Sequence, residues 1–241
     1  MQKCVLILSL IGMMAAQECN QNHISAGDYH SLSITESGHL IGWGWNQYGQ
    51  INIPEDLTNL KSVSAGVIHS IVLTNLGTVD IIGNNIIPHS IYTRNDIKSI
   101  SSGGGFGLAL TNDGNVIAWP YSEDENNWGE LDVPEDLIDI VAVEGGGQFA
   151  VVLTASGDVI AWGENEVGQT DVPEQLTDII SISAGYHHTL ALNQQGEVFS
   201  WGYPEIDNPD SLNDIVSIAA GWYHNLALNS LGEVIAWGSN D

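Results

Sequence analysis

The feature that most constrains this chain is internal repetition. Laid on itself, the sequence brings Ser25-Ala26-Gly27 over Ser64-Ala65-Gly66, Ser101-Ser102-Gly103, Val143-Glu144-Gly145, Ser183-Ala184-Gly185 and Ala219-Ala220-Gly221. Six copies are visible, and their spacing of about 39 residues lies in the range of solenoids, propellers and arrays. A chain built this way need not find one large irregular core, because each unit buries its faces against its neighbours.

Other landmarks keep the same phase. Each copy carries a short alternating run, such as Ser31-Leu32-Ser33-Ile34-Thr35 or Leu190-Ala191-Leu192-Asn193, of the kind a half-buried strand needs. A turn follows, closing on Gly38, Gly77, Gly114, Gly157, Gly196 or Gly232, where a hairpin requires a left-handed backbone. The return strand reads Leu40 to Trp43, Val116 to Trp119, Val159 to Trp162, Val198 to Trp201 and Val234 to Trp237, usually followed by glycine. Then come a polar loop, Gly-Gln or a relative before proline, and a last apolar stretch led into by Asp or Asn, as in Ile179 to Ile182. No copy has a helical period. Units of three or four short strands repeated in this way predict an all-β fold: a propeller of six, or with one further blade seven, short blades spanning residues 23–241.

The motif set resembles the regulator of chromosome condensation repeat family. Its best copy runs from Gly185-Tyr186-His187-His188-Thr189-Leu190-Ala191-Leu192 to Gly196-Glu197-Val198-Phe199-Ser200-Trp201-Gly202. The copies look most like secreted bacterial-type members, among them a propeller-type inhibitor of β-lactamases. The resemblance implies protein binding through the loops that connect strands. Nucleotide exchange on the small GTPase Ran, the activity of the nuclear member, is a remote expectation because no basic chromatin-binding tail is present. The second copy departs from the pattern with Ile82 in place of Trp and no Gly-Gln, and the third with Phe106 for His and Pro120 after Trp119. Looser packing is expected in those two.

Charge narrows the partners. Thirty acidic residues face four basic ones, a formal net charge of −26. Such a field repels phosphate backbones and anionic membranes and attracts cationic patches over about 8 Å at physiological ionic strength. Nucleic acid and phosphate-rich ligands are therefore not expected, and a protein with a basic patch is. Acidity that serves solubility alone is the competing reading.

The N-terminus reads as an export signal over residues 1–16, with Lys3 ahead of the apolar run Val5 to Ala16, which is too short to span a bilayer. Residues 17–22 form a leader, and a secreted or cell-surface location is expected, with membrane contact through the signal alone. Cys4 lies inside the signal, leaving Cys19 without an internal partner and no disulfide framework.

Chemistry is sparse. His30, His69, His188 and His224 share one phase, with Phe106 and Gln148 at that position in other copies, so a propeller would set them one per blade instead of converging them on a metal. The acidic loops lack the spacing of a calcium loop. No metal and no cofactor are expected. No Gly-x-Ser-x-Gly elbow occurs, and an enzyme is not expected, although carboxylates meeting in a central channel would suit a lyase or hydrolase. The in-phase tryptophans Trp43, Trp119, Trp162, Trp201 and Trp237 are assigned to packing between blades. Aromatics outside that phase are better anchors for a partner, since Tyr and Trp contribute large contact area at small entropic cost. Together with neighbouring carboxylates they give the candidate binding set Trp45, Tyr48, Tyr121, Glu123, Asp124, Trp128, Glu164, Glu166, Tyr186, Trp222 and Tyr223. The leading expectation is a protein-binding scaffold, with enzyme inhibition as one form of it. A carbohydrate-binding propeller is the alternative.

Overall fold

In the computed structural model, which describes residues 24–83, 89–121, 127–202, 208–209 and 211–239, the repeats form six antiparallel three-stranded sheets. The proposed signal, the leader and Cys19 lie outside the described residues, as do Glu123, Asp124 and Tyr203. Blade 1 holds β1 (Ile24–Ala26), β2 (His30–Ile34) and β3 (Leu40–Gly44); blade 2 holds β4 (Leu60–Ala65), β5 (His69–Thr74) and β6 (Val79–Gly83). A helical turn, α1 (His89–Tyr92), leads to blade 3 with β7 (Ile97–Ser102), β8 (Phe106–Thr111) and β9 (Val116–Pro120). Blade 4 is β10 (Ile140–Gly145), β11 (Phe149–Thr154) and β12 (Val159–Gly163), and blade 5 is β13 (Ile179–Ala184), β14 (His188–Asn193) and β15 (Val198–Gly202). Blade 6 is β16 (Ile215–Ala220), β17 (His224–Asn229) and β18 (Val234–Gly238).

Local rules explain the hairpins. The turn glycines at 38, 77, 114, 157, 196 and 232 have φ between 76° and 89°, as their position demands. The Asp or Asn that leads into the first strand serves the same purpose. Asn59, Asp139, Asp178 and Asp214 have φ between 52° and 59°, a region these side chains tolerate better than other non-glycine residues. Their carbonyls accept hydrogen bonds from the turn amides of Asn75, Ala155, Gln194 and Ser230, tying each first strand to the hairpin beside it.

Packing is a relay from each blade to the next. Ile71 and Leu73 of blade 2 meet Ile97, Ile100, Ala109 and Trp119 of blade 3, and Leu190 and Leu192 of blade 5 meet Ile215, Ile218 and Ala227 of blade 6. The middle strands β5, β8, β11 and β14 are buried along their whole length. Fully burying each such aliphatic side chain contributes roughly 1.5–3 kcal/mol before chain entropy is counted. A serine ladder joins the first strands: Ser25 Oγ accepts from Ala65 N (3.0 Å), Ser64 Oγ from Ser102 N (2.9 Å), Ser101 Oγ from Gly145 N (3.0 Å) and Ser183 Oγ from Ala220 N (2.9 Å).

The register corrects the alignment of the fourth copy by one residue. Gly146 packs against the ring of Phe149 as Gly103 packs against Phe106, so Phe149, and not Gln148, holds the phase that histidine holds elsewhere. Two blades thus place phenylalanine where three others bury His30, His69 and His188, and burial pulls all three imidazoles below their usual pKa. That pattern identifies a packing position.

The second and third blades are well packed, contrary to the looseness expected of them. Ile91 of α1 is buried in the core between these blades, which holds ten buried residues among those described, Tyr121 among them. Trp43 also departs from expectation. It is 48% exposed on an outer face of blade 1 that no other blade covers among the described residues, as Leu226, Leu228 and Val234 are on the opposite side of blade 6.

Candidate binding face at the channel mouth

The loop between the first and second strands of every blade turns at the propeller axis. There the backbones approach so closely that a Cβ on Gly27 would stand 2.1 Å from the carbonyl oxygen of Gly66 and one on Gly185 2.5 Å from that of Gly221, while at Gly66, Gly103, Gly146 and Gly221 it would run into the ring of the His or Phe three residues on. This is the physical reason for the glycine landmark of the repeat. The two residues that follow the phase glycine then point to the mouth of the channel. The first of the pair is Asp28, Val67, Gly104, Gly147, Tyr186 and Trp222 in blades 1 to 6, and all six line a cavity of about 420 Å³.

The mouth is lopsided. Blades 3 and 4 contribute glycine, whereas blades 5, 6 and 1 contribute rings. Tyr186 and Trp222 lie 4.8 Å apart between centroids with planes at 45°, and Trp222 stacks on Tyr223 at 5.7 Å and 10°. Tyr29 meets Trp222 edge-on at 6.2 Å and Trp45 at 5.5 Å, and Trp45 meets Tyr48 at 5.2 Å. His187 packs edge-on against Tyr186 at 4.5 Å. Tyr29, Tyr48 and Tyr223 are exposed, and Trp45, Tyr186 and Trp222 are half-buried. Trp128 and Glu130 line the same cavity from the loop before blade 4.

The loops that follow the third strands emerge on this face too. Gln50 and Gln169 are buried there and brace their loops by accepting from the amides of Tyr48 and Val167. Glu130 stands in for them in the third copy, accepting from Trp128 N at 2.7 Å. Burial raises the Glu130 carboxyl above its ordinary pKa, and Asp132 and Glu164 push the same way. The tryptophan of the following blade closes two of the three braces, Trp162 Nε1 donating to the carbonyl of Glu130 and Trp201 Nε1 to that of Gln169, while Ser70 Oγ donates to that of Gln50. Glu164 lies 3.6 Å from His187 Nδ1 and accepts from Gln169 Nε2, whereas Glu166 is exposed.

Of the sequence-predicted set, Trp45, Tyr48, Trp128, Glu164, Glu166, Tyr186, Trp222 and Tyr223 all lie on loops at this end of the strands. Tyr121 does not belong with them. It is 2% exposed, and its ring stacks on His69 at 3.3 Å, inside the packing between blades 2 and 3. A buried hydroxyaryl ring cannot anchor a partner, so Tyr121 is a core residue. Sequence reasoning missed Asp28 and Tyr29, although the signal was available: they occupy the loop column that reads Tyr186-His187 and Trp222-Tyr223 in other copies.

Asp28 is the one charged residue among those six mouth positions. Its Oδ2 is buried without a hydrogen-bond partner among the described residues, as is Trp222 Nε1. Desolvation raises the Asp28 carboxyl above the ordinary aspartate pKa. Burial also raises the Tyr186 phenol, with Asp28 adding to it. Among the described residues no group of three or more His, Cys, Asp or Glu is arranged to hold a metal ion.

Comparison with known proteins agrees with this architecture. The chain is 28% identical over 142 residues to the ultraviolet-B receptor UVR8 of Arabidopsis thaliana, covering 47% of this chain and 31% of the receptor. It is 30% identical over 117 residues to protein RCC1 of Candida albicans, covering 48% of this chain and 21% of that protein. The chain thus spans a third or less of these relatives. Among solved structures, Prp20p of Saccharomyces cerevisiae superposes with a TM-score of 0.73 at 20% identity, over 89% of this chain and 71% of Prp20p. The ectodomain of the receptor kinase CR4 of Physcomitrella patens gives 0.76 at 20% identity, over 90% of this chain and 60% of the ectodomain. The model of the regulator of chromosome condensation (RCC1) repeat matches residues 22–50, 97–119, 140–169, 179–205 and 215–241, leaving out the second copy that departs furthest from the motif. With more than half of its residues matched, and with the six-bladed architecture those repeats build here, the chain belongs to the regulator of chromosome condensation (RCC1) repeat family.

Proposed function

We propose that this protein is a protein-binding scaffold whose contact surface is the aromatic half of the channel mouth, formed by blades 5, 6 and 1. The observation that carries this reading is the continuous chain of ring contacts from Tyr48 through Trp45, Tyr29 and Trp222 to Tyr186, with Tyr48 and Tyr29 exposed and the exposed Tyr223 stacked on Trp222. Aromatic side chains held rigid by one another present a large apolar area with little entropy left to lose, which is how a small patch dominates an interface. The net charge of −26 favours a partner with basic residues and makes association salt-dependent. Related propellers are consistent with such a role: Prp20p is described by its binding to Gsp1p and histones. Secretion and inhibition of an extracellular enzyme are the finer form of the proposal, supported by the apolar run Val5 to Ala16 and its small-residue end.

The test is affinity capture on the immobilised chain from the secretome and cell surface of its source, followed by titration of the purified partner. Trp222→Ala and Tyr48→Ala should each weaken binding at least tenfold, and Leu231→Ser, in a turn on the opposite face, should not. Unchanged affinity in both aromatic variants would contradict the assignment. Binding of a glycan at high salt, with no protein retained, would favour the carbohydrate reading instead.

A further inference from the structure

The channel mouth contains a feature that flat protein contact does not require. Asp28 sits at the meeting point of the smooth and the aromatic halves, next in sequence to Tyr29 and on the same cavity wall as Tyr186 and Trp222. Its Oδ2 is removed from solvent and has no hydrogen-bond partner among the described residues. A buried carboxylate oxygen without a donor costs free energy comparable to a lost charged hydrogen bond, and folded proteins rarely keep one unless something else supplies the donor. Among the described residues the cations are placed elsewhere. Arg94 pairs with Asp96, Lys61 donates to the carbonyl of Lys98, and no described Lys or Arg lines the cavity.

The surroundings select the chemistry of the missing donor. Tyr29, Tyr186 and Trp222 offer ring faces and edges around the carboxylate, a setting in which a cation gains from the ring quadrupole as well as from the opposite charge. A guanidinium suits it better than an ammonium, since it is planar, more weakly hydrated, stacks on aromatic rings and gives a carboxylate two parallel donors. On the other side Gly104 and Gly147 leave the wall without side chains, and a Cβ at Gly147 would meet both the carbonyl oxygen and the ring of Tyr186. Room for an entering side chain is thus left by the bare backbones of blades 3 and 4. The indole Nε1 of Trp222, buried and without a partner among the described residues, is a donor suited to the main-chain carbonyl of the segment that carries that side chain.

We infer that the mouth is an arginine-binding site in which Asp28 receives the guanidinium of one partner side chain, stacked among Tyr29, Tyr186 and Trp222. The inference rests on the scaffold reading above and names the residue type at the centre of the contact.

A short peptide, acetylated and amidated, with one arginine in a Gly/Ser context is titrated into the whole chain, following the Trp222 indole resonance, which is assigned by its loss in Trp222→Phe. A citrulline peptide of the same shape but no charge and a lysine peptide serve as comparisons. The arginine peptide should shift that resonance saturably, citrulline should bind at least tenfold more weakly, and lysine should fall between them. Asp28→Asn, with a melting temperature matching the parent, should lose at least tenfold in arginine affinity, and Glu36→Gln, which removes an equal charge from an exposed turn on the opposite face, should not. Equal binding of arginine and citrulline, equal loss in Asp28→Asn and Glu36→Gln, or a Trp222 resonance that does not move would overturn the inference. Those failures leave the scaffold reading standing, because that reading is decided separately by Trp222→Ala and Tyr48→Ala against a purified partner.

Discussion

Blades 2 to 5 and blades 1 and 6 carry the same sequence pattern with different outcomes. In blade 5 the alternating Leu190 and Leu192 are fully buried, and in blade 6 the equivalent Leu226 and Leu228 are 38% and 36% exposed. In blade 3 Trp119 is buried, whereas its counterpart Trp43 in blade 1 stands in the open. Nothing in the strands themselves differs enough to cause this. A blade's forward face is covered by its successor and its rear face by its predecessor, so burial here is a property of position in the series. The terminal blades approach at the axis, where Tyr29 of blade 1 meets Trp222 of blade 6.

The sharpest way to break that comparison is to make one truncation in both settings. Leu192→Ala should cost about 2–5 kcal/mol in chemical denaturation, as large-to-small changes in a closed core do, and Leu228→Ala should cost under about 1 kcal/mol. Equal losses would mean that the outer face of blade 6 is covered in solution.

A second comparison is electrostatic. Glu144 holds the ladder position where other interior blades have serine, and burial pushes its carboxyl up to about 7, an effect the hydrogen-bonded Ser101 hydroxyl partly offsets. A raised carboxyl pKa means the folded state holds its proton more tightly than the unfolded chain. Its contribution is therefore present at acid pH and lost as pH rises from the unfolded carboxylate range through about 7. Glu144→Gln should remove that loss and stabilise the protein at pH 8 by on the order of 2 kcal/mol, with no gain at pH 4. Denaturation midpoints at the two pH values check it.

His69 gives the opposite slope. Burial, with His30 beside it, holds its imidazole well below the usual pKa, and both ring nitrogens are buried without a hydrogen-bond partner among the described residues. The unfolded chain takes up the proton near pH 6.5 and the folded one does not, so stability falls as pH drops below that value. His69→Phe, which copies Phe106 and Phe149, should remove this acid sensitivity and stabilise at neutral pH by about 1 kcal/mol. A destabilised variant would show that the imidazole has a polar role which the packing position does not reveal.

Much of the fold was legible because its determinants are local. The turn glycines, the left-handed Asp and Asn, and the alternation of the middle strands each express a backbone or burial rule that acts within a few residues. The site was legible in part for the same reason, since aromatics outside the packing phase had little use but exposure. Tyr121 failed that rule because an adjacent blade, not its own, supplies the cavity that its ring fills. Asp28 escaped notice because a single aspartate among thirty acidic residues carries no signal until neighbouring loops gather round it. The slip at Gly146 came from three consecutive glycines, which fit the repeat equally well in two registers.

The central claim is that the aromatic half of the mouth is the binding surface. The most direct measurement is the dissociation constant of the purified partner for the parent chain, Trp222→Ala and Leu231→Ser, each verified as folded. The account predicts a loss of at least tenfold for Trp222→Ala and parent-like affinity for Leu231→Ser. Parent-like affinity for Trp222→Ala, or a loss confined to Leu231→Ser, would contradict it.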